Sequence, residues 1–308
     1  MTRVAVVDLG TNSTRLLVAD VTDGRVSEVE RRLTITRLGE GVDARRRLLP
    51  ASIARVRSCL GRYRRAVERL GVERTLAVAT SAVRDAENGA AFLGEIESGF
   101  GFTTRLLSGQ EEALLTFRGV SAGRDLTEPA LVLDVGGGST ELILGEEGRV
   151  SFHTSLDLGC VRQTERFLGS DPPTAYELEA CVESIRRLLR EHVPPEARPV
   201  RAIGVAGTVT TLATLHLGLP AEDPALVHRH RMSRQWVAEE TSRLARLTLE
   251  ERRSVPGIHR DRAPVIVAGA LVVLEVLRLF DLDELEASES DLLHGAAIEA
   301  AAAPPSLR

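Results

Sequence analysis

Two short stretches of the chain carry the residue types that handle anions and hard cations. One reads Asp8-Leu-Gly10-Thr11-Asn12-Ser13, the other Asp134-Val-Gly136-Gly137-Gly138-Ser139-Thr140-Glu141. In each, an apolar run reaches an Asp, turns through small residues and enters a second apolar run. Successive backbone N–H groups in such a turn form an anion-binding concavity that needs no lysine. Glycine there lets a phosphate approach the main chain closely. Thr11, Asn12, Ser13, Ser139 and Thr140 add side-chain donors, while Asp8, Asp134 and Glu141 supply oxygen ligands suited to Mg²⁺, directly or through water. A tight hairpin with an incidental carboxylate is the competing reading of either stretch alone. The pair says more, because Asp8 and Asp134 lie 126 residues apart and each copy runs on into a hairpin signal, Thr22-Asp23-Gly24 and Glu147-Gly148. One module used twice, each copy opening with three meandering strands, accounts for both.

Composition narrows the chemistry further. All 39 basic residues are Arg, and lysine is absent. A Walker P-loop, a protein kinase and a Schiff-base enzyme each need a lysine, so those classes are excluded. The 44 acidic residues leave a net charge of −5, which gives no global support for a DNA-binding protein. Cys59, Cys160 and Cys181 form no CxxC pair, so neither a disulfide framework nor a zinc ribbon is expected, and a reducing cytoplasm is the natural compartment. The apolar stretch from Ala263 to Phe280 is interrupted by Glu275 and Arg278 and is too short to span a bilayer; it reads as a buried helix. Met1 to Gly10 lacks a signal-peptide layout, and no membrane partner is expected.

The elements that must position these turns are alternating strands and helices. Ile53, Val56, Leu60, Tyr63, Val67 and Leu70 recur at three and four residues between Pro50 and Gly71, which predicts an amphipathic helix. Strands are expected at 75–79 and 102–107, with helices at about 86–97 and 110–117. In the second half, Thr174-x-x-Glu177 is a capping box before Leu178, Val182, Ile185 and Leu189. A strand over 201–205 then leads through Gly207 into a helix from Thr208 to Leu217. The Gly-, Ser- and Pro-containing segment 119–129 is the best linker, and the last helix is expected at about 290–302.

Seven ordered motifs now carry a resemblance. They are Asp8-Leu-Gly-Thr-Asn-Ser13 with Arg15, Ala79-Thr-Ser-Ala-Val-Arg84-Asp-Ala-Glu-Asn88, Ser108-Gly-Gln-Glu-Glu112-Ala, Asp134-Val-Gly-Gly-Gly-Ser-Thr-Glu141, Gly159-Cys-Val-Arg162-Gln-Thr-Glu165, Gly204-Val-Ala-Gly-Thr-Val-Thr-Thr211 and Ser288-Glu-Ser-Asp291-Leu-Leu. Together they resemble the exopolyphosphatase / guanosine pentaphosphate phosphohydrolase (Ppx/GppA) family in its short, two-domain form. The resemblance implies an α/β fold of the actin-like ATPase superfamily, with two ribonuclease-H-like domains facing an interdomain cleft. The first domain would comprise residues 1–124 plus a C-terminal helix from about 288 to 308, the second residues 125–287.

What the resemblance implies for chemistry is specific. Glu112 would be the general base that activates water against a terminal phosphorus, a role that residue type alone would not assign to a first-turn helix carboxylate. Asp8, Asp134 and Glu141 would be the Mg²⁺ residues. Arg15, Arg84, Gly207 and Thr208 would join Gly10, Thr11, Asn12, Ser13, Gly136, Gly137, Gly138, Ser139 and Thr140 around phosphate. A monovalent cation is a further candidate cofactor, and a homodimer a candidate assembly. The expected reaction releases orthophosphate from the end of inorganic polyphosphate, with short chains as the expected substrates; a sugar kinase of the same superfamily is disfavoured, since the 80–84 and 108–112 motifs belong to the phosphatases. Guanosine pentaphosphate is the alternative substrate, and a non-catalytic polyphosphate or alarmone sensor the alternative of another class. Pro264 and His294 stand where the family pattern has Asp. Arg45-Arg46-Arg47 and Arg62, Arg64 and Arg65 read as solvated faces that could guide polyphosphate electrostatically. For Arg162 and Arg262, ion-pair and substrate roles stay open.

Overall fold

Alternation along the first strand dictates the layering of the N-terminal sheet. In β1 (Thr2–Leu9), Ala5, Val7 and Leu9 are buried on one face, and Val4 and Val6 on the other, because consecutive strand side chains point to opposite faces. A sheet apolar on both faces needs a layer of helix on each side. In the computed structural model, which describes residues 1–124 and 126–303, β1 continues into an antiparallel meander with β2 (Ser13–Thr22) and β3 (Arg25–Ile35). Asp23 and Gly24 both take positive φ, 50° and 76°, the primed turn that matches the twist of flanking strands. The chain then forms α1 (Val42–Arg45), α2 (Pro50–Arg69), β4 (Arg74–Ala79), α3 (Ser81–Arg84), α4 (Gly89–Phe100), β5 (Thr103–Leu106) and α5 (Gly109–Ser121). β4 and β5 add in parallel, giving the order β3-β2-β1-β4-β5.

α2 and α4 cover the first face. The expected stripe of α2 supplies Val56, Leu60, Tyr63 and Val67 to that core, and Cys59 is wholly buried with them. The helix expected from about 86 begins instead at Gly89, because the short α3 and a turn occupy the residues before it; a Cβ at Gly89 would collide with the Val83 carbonyl.

The second sheet repeats this plan. Its meander is β6 (Ala130–Val135), β7 (Thr140–Glu146) and β8 (Arg149–Leu156). It is followed by α6 (Cys160–Phe167), α7 (Ala175–His192), β9 (Arg201–Val205), α8 (Ala206–His216), α9 (Pro224–Val227), β10 (Arg231–Ser233), α10 (Arg234–Arg246), α11 (Leu249–Ser254), α12 (Ile266–Leu279) and β11 (Glu284–Ala287). The order is β10-β11-β9-β6-β7-β8, the same meander and two parallel strands with one antiparallel edge strand added. Both sheets are ribonuclease-H-like. The duplication extends to single bonds: Gly10 N donates to Ser13 O at 3.0 Å, and Gly136 N donates to Ser139 O at 3.0 Å. Bulges fall at Val18/Ala19 and at Leu144/Gly145, again 126 residues apart. As the apolar stretch suggested, α12 is a helix buried along nearly its whole length. Among the described residues no helix is long and apolar enough to cross a membrane.

By contact the chain falls into two compact units, Met1–Arg124 with Asp291–Arg308, and Asp125–Ser290. Asp125, inside the expected linker, and residues 304–308, at the end of the expected first domain, lie outside the described residues. The return to the first unit is made by α13 (Leu292–Ala302), whose Leu292, Leu293, Ala296, Ala297 and Ala300 cover Val4, Val6, Leu17 and Ala19 beside Leu115 of α5. α13 and α5 meet through glycine. A Cβ on Gly119 would strike the Asp291 carbonyl, and one on Gly295 would strike the Leu115 carbonyl. Backbone cannot yield as a flexible side chain can, so Gly295→Ala should destabilise the protein by about 1–3 kcal/mol, the usual cost of overpacking. Chemical denaturation checks this, and an unchanged midpoint would show that the two helices are not locked together.

Candidate active site

In the first unit the expected residues gather at the carboxyl ends of the parallel strands. Asp8 lies in register with Val78 of β4, and Ala79 with Leu106 of β5, so the 10–13 loop, α3 and the start of α5 share one sheet end. Ligands of open α/β sheets bind at such ends. Ser108 caps α5 in a reciprocal capping box with Glu111, whose carboxyl these backbone and side-chain bonds, with Arg105, hold down at about 2. That fixes the first turn and places Glu112, which is buried. Arg84 Nη1 donates to Glu112 Oε2 at 3.2 Å and to the Leu107 carbonyl at 2.8 Å. The structure therefore brings the expected base and the expected phosphate clamp together.

The first loop is braced through its carbonyls. Asn12 O accepts from Thr36 N and Arg37 N, and Thr11 O from Gly39 N, at 2.8–3.0 Å. The Thr11 hydroxyl shares a 2.9 Å hydrogen bond with Ser81 at the start of α3. Arg15 has partners other than phosphate. It donates to Asp8 Oδ2 through Nε at 2.9 Å, reaches the same oxygen through Nη2 at 2.8 Å, and pairs with Asp291 through Nη1. Asp291 caps α13, and His294 in that helix's first turn sits with Nδ1 3.3 Å from Asp291 N and Nε2 3.0 Å from Glu28 Oε1. A row of alternating charge thus runs Asp8, Arg15, Asp291, His294, Glu28. Burial pushes the Asp8 carboxyl up despite Arg15. For Asp291, burial acts the same way, but Arg15 and His294 outweigh it and hold the carboxyl well below its usual range. No local pattern announces the Arg15–Asp291 pair, because its members are 276 residues apart.

In the second unit Asp134 is in register with Val205, so the triple-glycine loop and the N-terminus of α8 share a sheet end. The loop carbonyls are occupied. Gly136 O accepts from Cys160 N, Gly137 O from Val161 N and Arg162 N, and Gly138 O from Gly159 N, which caps the start of α6 with main chain. Arg162 Nε adds a 2.8 Å bond to Gly138 O, and a Cβ on Gly159 would collide with Gly137, so both residues hold the loop. Among the described residues no hydrogen-bond acceptor meets the N–H groups of Gly137 and Gly138. The Thr140 hydroxyl, expected as a phosphate donor, is bonded to the Leu158 carbonyl at 2.9 Å. Ala206 opens α8 with φ 68°, a costly conformation for a residue with a Cβ and one that clusters at functional turns. Gly207 O accepts from Arg262 Nη1, which also reaches Thr211 Oγ1 and Glu222, so Arg262 ties down the start of α8. Burial pushes the Cys160 thiol up to about 11, with a Thr208 hydrogen bond opposing it, so it is no thiolate nucleophile.

Whether these groups suit Mg²⁺ follows from their charges. Among the described residues no group of three or more His, Cys, Asp or Glu forms a ready cage. Mg²⁺ needs none, since it is commonly held by one or two carboxylates together with substrate phosphates and water. Asp134 and Glu141 are buried register partners across β6 and β7, and like charges directly opposite each other are destabilising. Asp8 Oδ1 is buried without a hydrogen-bond partner. Each observation, made within its own unit, fits a hard cation.

Known proteins resemble the chain over nearly its whole length. A model of the Ppx/GppA phosphatase family matches residues 17–302. The chain is 41% identical to Exopolyphosphatase 2 of Mycobacterium tuberculosis, over 98% of the chain and 99% of that protein. It is 29% identical to the guanosine-5'-triphosphate,3'-diphosphate pyrophosphatase of Vibrio vulnificus, over 96% of the chain and 58% of that protein. The crystal structure of an Aquifex aeolicus Ppx/GppA family member superposes with a TM-score of 0.83 at 31% identity, covering 97% of each chain.

The charge row makes stability depend on pH in a defined direction. Burial lowers the His294 pKa, but Asp291 and Glu28 raise it more, against an opposing effect of Arg31, and the net is above 6.5. The stabilisation is therefore fully present below 6.5 and is lost as pH rises through the folded value. Glu28 and Asp291, both lowered, contribute above their ordinary values and lose that contribution in acid. The stability gap between the protein and His294→Asn should be widest between the carboxylate range and pH 6.5, and narrow towards pH 8. Thermal denaturation across that range tests it; a gap that widens with pH would contradict it.

Proposed function

Because this chain belongs to the Ppx/GppA phosphatase family, we propose that it is an exopolyphosphatase that removes terminal phosphate from inorganic polyphosphate. The observation that carries this reading is Glu112, a buried carboxylate joined to Arg84 at the carboxyl end of a parallel strand. A sensor that only bound polyphosphate would need the anion loops but not a base beside them. The relative named Exopolyphosphatase 2 matches over nearly its full length at 41% identity. The relative named for guanosine pentaphosphate matches at 29%. Polyphosphate is thus the first substrate and guanosine pentaphosphate the second.

In the proposed reaction, Glu112 takes a proton from a water molecule that attacks the terminal phosphorus. The bridging P–O bond breaks, orthophosphate departs, and the chain is one phosphate shorter. Arg84 orients Glu112 and offers positive charge to the terminal phosphoryl oxygens. Within the first unit the 10–13 loop is a further phosphate contact; within the second, the N–H groups of Gly137 and Gly138 and the start of α8 at Gly207 and Thr208 offer donors to phosphate oxygens. Arg15 acts by holding Asp8 in place. Asp134 and Glu141 of the second unit would hold Mg²⁺, and the ion when bound neutralises charge on phosphoryl oxygens; Asp8 is the candidate oxygen donor of the first unit. Reactions of this class depend mostly on positioning and electrostatics, which these groups supply.

Two measurements test the reading. Glu112→Gln keeps the size of the side chain but cannot accept the proton, so polyphosphate hydrolysis should fall by about 10²–10⁴-fold while polyphosphate binding persists. Wild-type turnover in that variant would remove Glu112 from the mechanism. Phosphate release should also collapse in a chelator, and Asp134→Asn or Glu141→Gln should raise the Mg²⁺ concentration needed for activity. Equal rates with Mg²⁺ and with chelator would sink the metal assignment.

A further inference from the structure

The segment between β3 and α2 presents three consecutive arginines, at the end of α1 and just after it, that the mechanism leaves unused. Arg45, Arg46 and Arg47 are exposed, whereas Val42 before them and Leu48 after them are buried. Among the described residues none of the three has a carboxylate at ion-pair distance, whereas arginines nearby are paired, Arg55 with Glu40 at 2.8 Å and Arg64 with Glu68 at 2.8 Å. In a chain with net charge −5, three unpaired guanidiniums in a row are a concentrated positive feature.

The loop is anchored at both ends to the phosphate-handling segments of its own unit. At one end Thr36 N and Arg37 N bond Asn12 O, and Gly39 N bonds Thr11 O. Gly39 presses on Thr11 so closely that a Cβ would collide with the Thr11 side chain. At the other end Glu87 N donates to Arg46 O at 2.9 Å, and Leu48 exchanges 2.8 and 3.1 Å bonds with the Asn88 side chain, within the motif that carries Arg84. Arg46 itself adopts φ 55°, so the triplet is held in a strained turn rather than left as a loose surface run.

We propose that Arg45, Arg46 and Arg47 form a subsite for the non-reacting length of a linear phosphate chain, beyond the phosphate being hydrolysed. Guanidinium is the side chain best matched to phosphate, and successive phosphates along the chain offer each arginine a charge. The inference rests on the exopolyphosphatase reading and adds to it a preference for chain length.

The test replaces all three with glutamine and follows hydrolysis of tripolyphosphate and of a long polyphosphate at several salt concentrations. For the long chain KM should rise on the order of tenfold, with kcat kept, and tripolyphosphate should be nearly unaffected. By analogy with single-stranded nucleic acid, where each phosphate contact contributes about 0.7 to the slope of log affinity against log salt, the slope should flatten by about 2 for the long chain. Equal effects on short and long chains, or none on either, would overturn the subsite. Direct binding of long polyphosphate, measured without turnover, separates the two levels. If the wild-type protein binds but does not hydrolyse polyphosphate, and the triple variant binds more weakly, the subsite stands and the catalytic reading fails. If the wild-type protein hydrolyses and the variant matches it in affinity and salt slope, the subsite fails alone. Arg47→Glu, a single exposed change, provides the same comparison should the triple variant be poorly folded, and its loss should exceed that of Arg47→Gln.

Discussion

Asp8 lies one residue from the end of an apolar strand, and a carboxylate buried there has to be met by an opposite charge or a ligand. Much of the first unit is arranged around that requirement. Arg15, the register partner of Asp8 on β2, meets one oxygen and draws in Asp291; Asp291 brings the start of α13, with His294 and through it Glu28. In the duplicated position of the second unit Asp134 faces Glu141 instead of an arginine, and Glu141 has Ser155 Oγ at 2.7 Å. One module has thus been given two electrostatic solutions. The first unit sets an arginine opposite its aspartate, and the second sets a second carboxylate there.

The turns divide their backbone groups in a common way. In the first unit Thr11 and Asn12 carbonyls face the 36–39 segment; in the second the three glycine carbonyls face the start of α6. With the carbonyls satisfied from within the protein, repulsion between them and an arriving phosphate is reduced, and the N–H groups are the side left to meet it. This explains why residues outside the loops, Gly39 in one unit and Gly159 and Arg162 in the other, matter to loop shape.

Legibility in the sequence followed locality. The duplicated strands, the primed turns, the α2 stripe and the capping box at Thr174 were readable because each is written in residues close together along the chain. Glu112 was readable only through the motif it belongs to, since a glutamate in a first helical turn is ordinary. The partners of Arg15 were not readable, because β2 and the start of α13 meet only after the whole second unit intervenes. The occupation of the Thr140 hydroxyl by Leu158 was hidden for a different reason: a Thr at a loop edge looks like a free donor until the fold supplies an acceptor. Glycines needed for close approach, such as Gly119 and Gly295, carry no signature beyond being glycine.

The late return of α13 to the first sheet also sets an order of events during synthesis. β1 and β2 leave the ribosome before the second unit, yet the helix that covers Val4, Val6, Leu17 and Ala19 emerges only after every residue of that unit. The second unit is continuous in sequence and can close as it is made, whereas the first has to wait with one apolar face uncovered. Contacts of such long sequence separation slow folding and prolong exposure to aggregation. Until α13 is made, the first unit therefore stays incomplete, with that apolar face of its sheet uncovered.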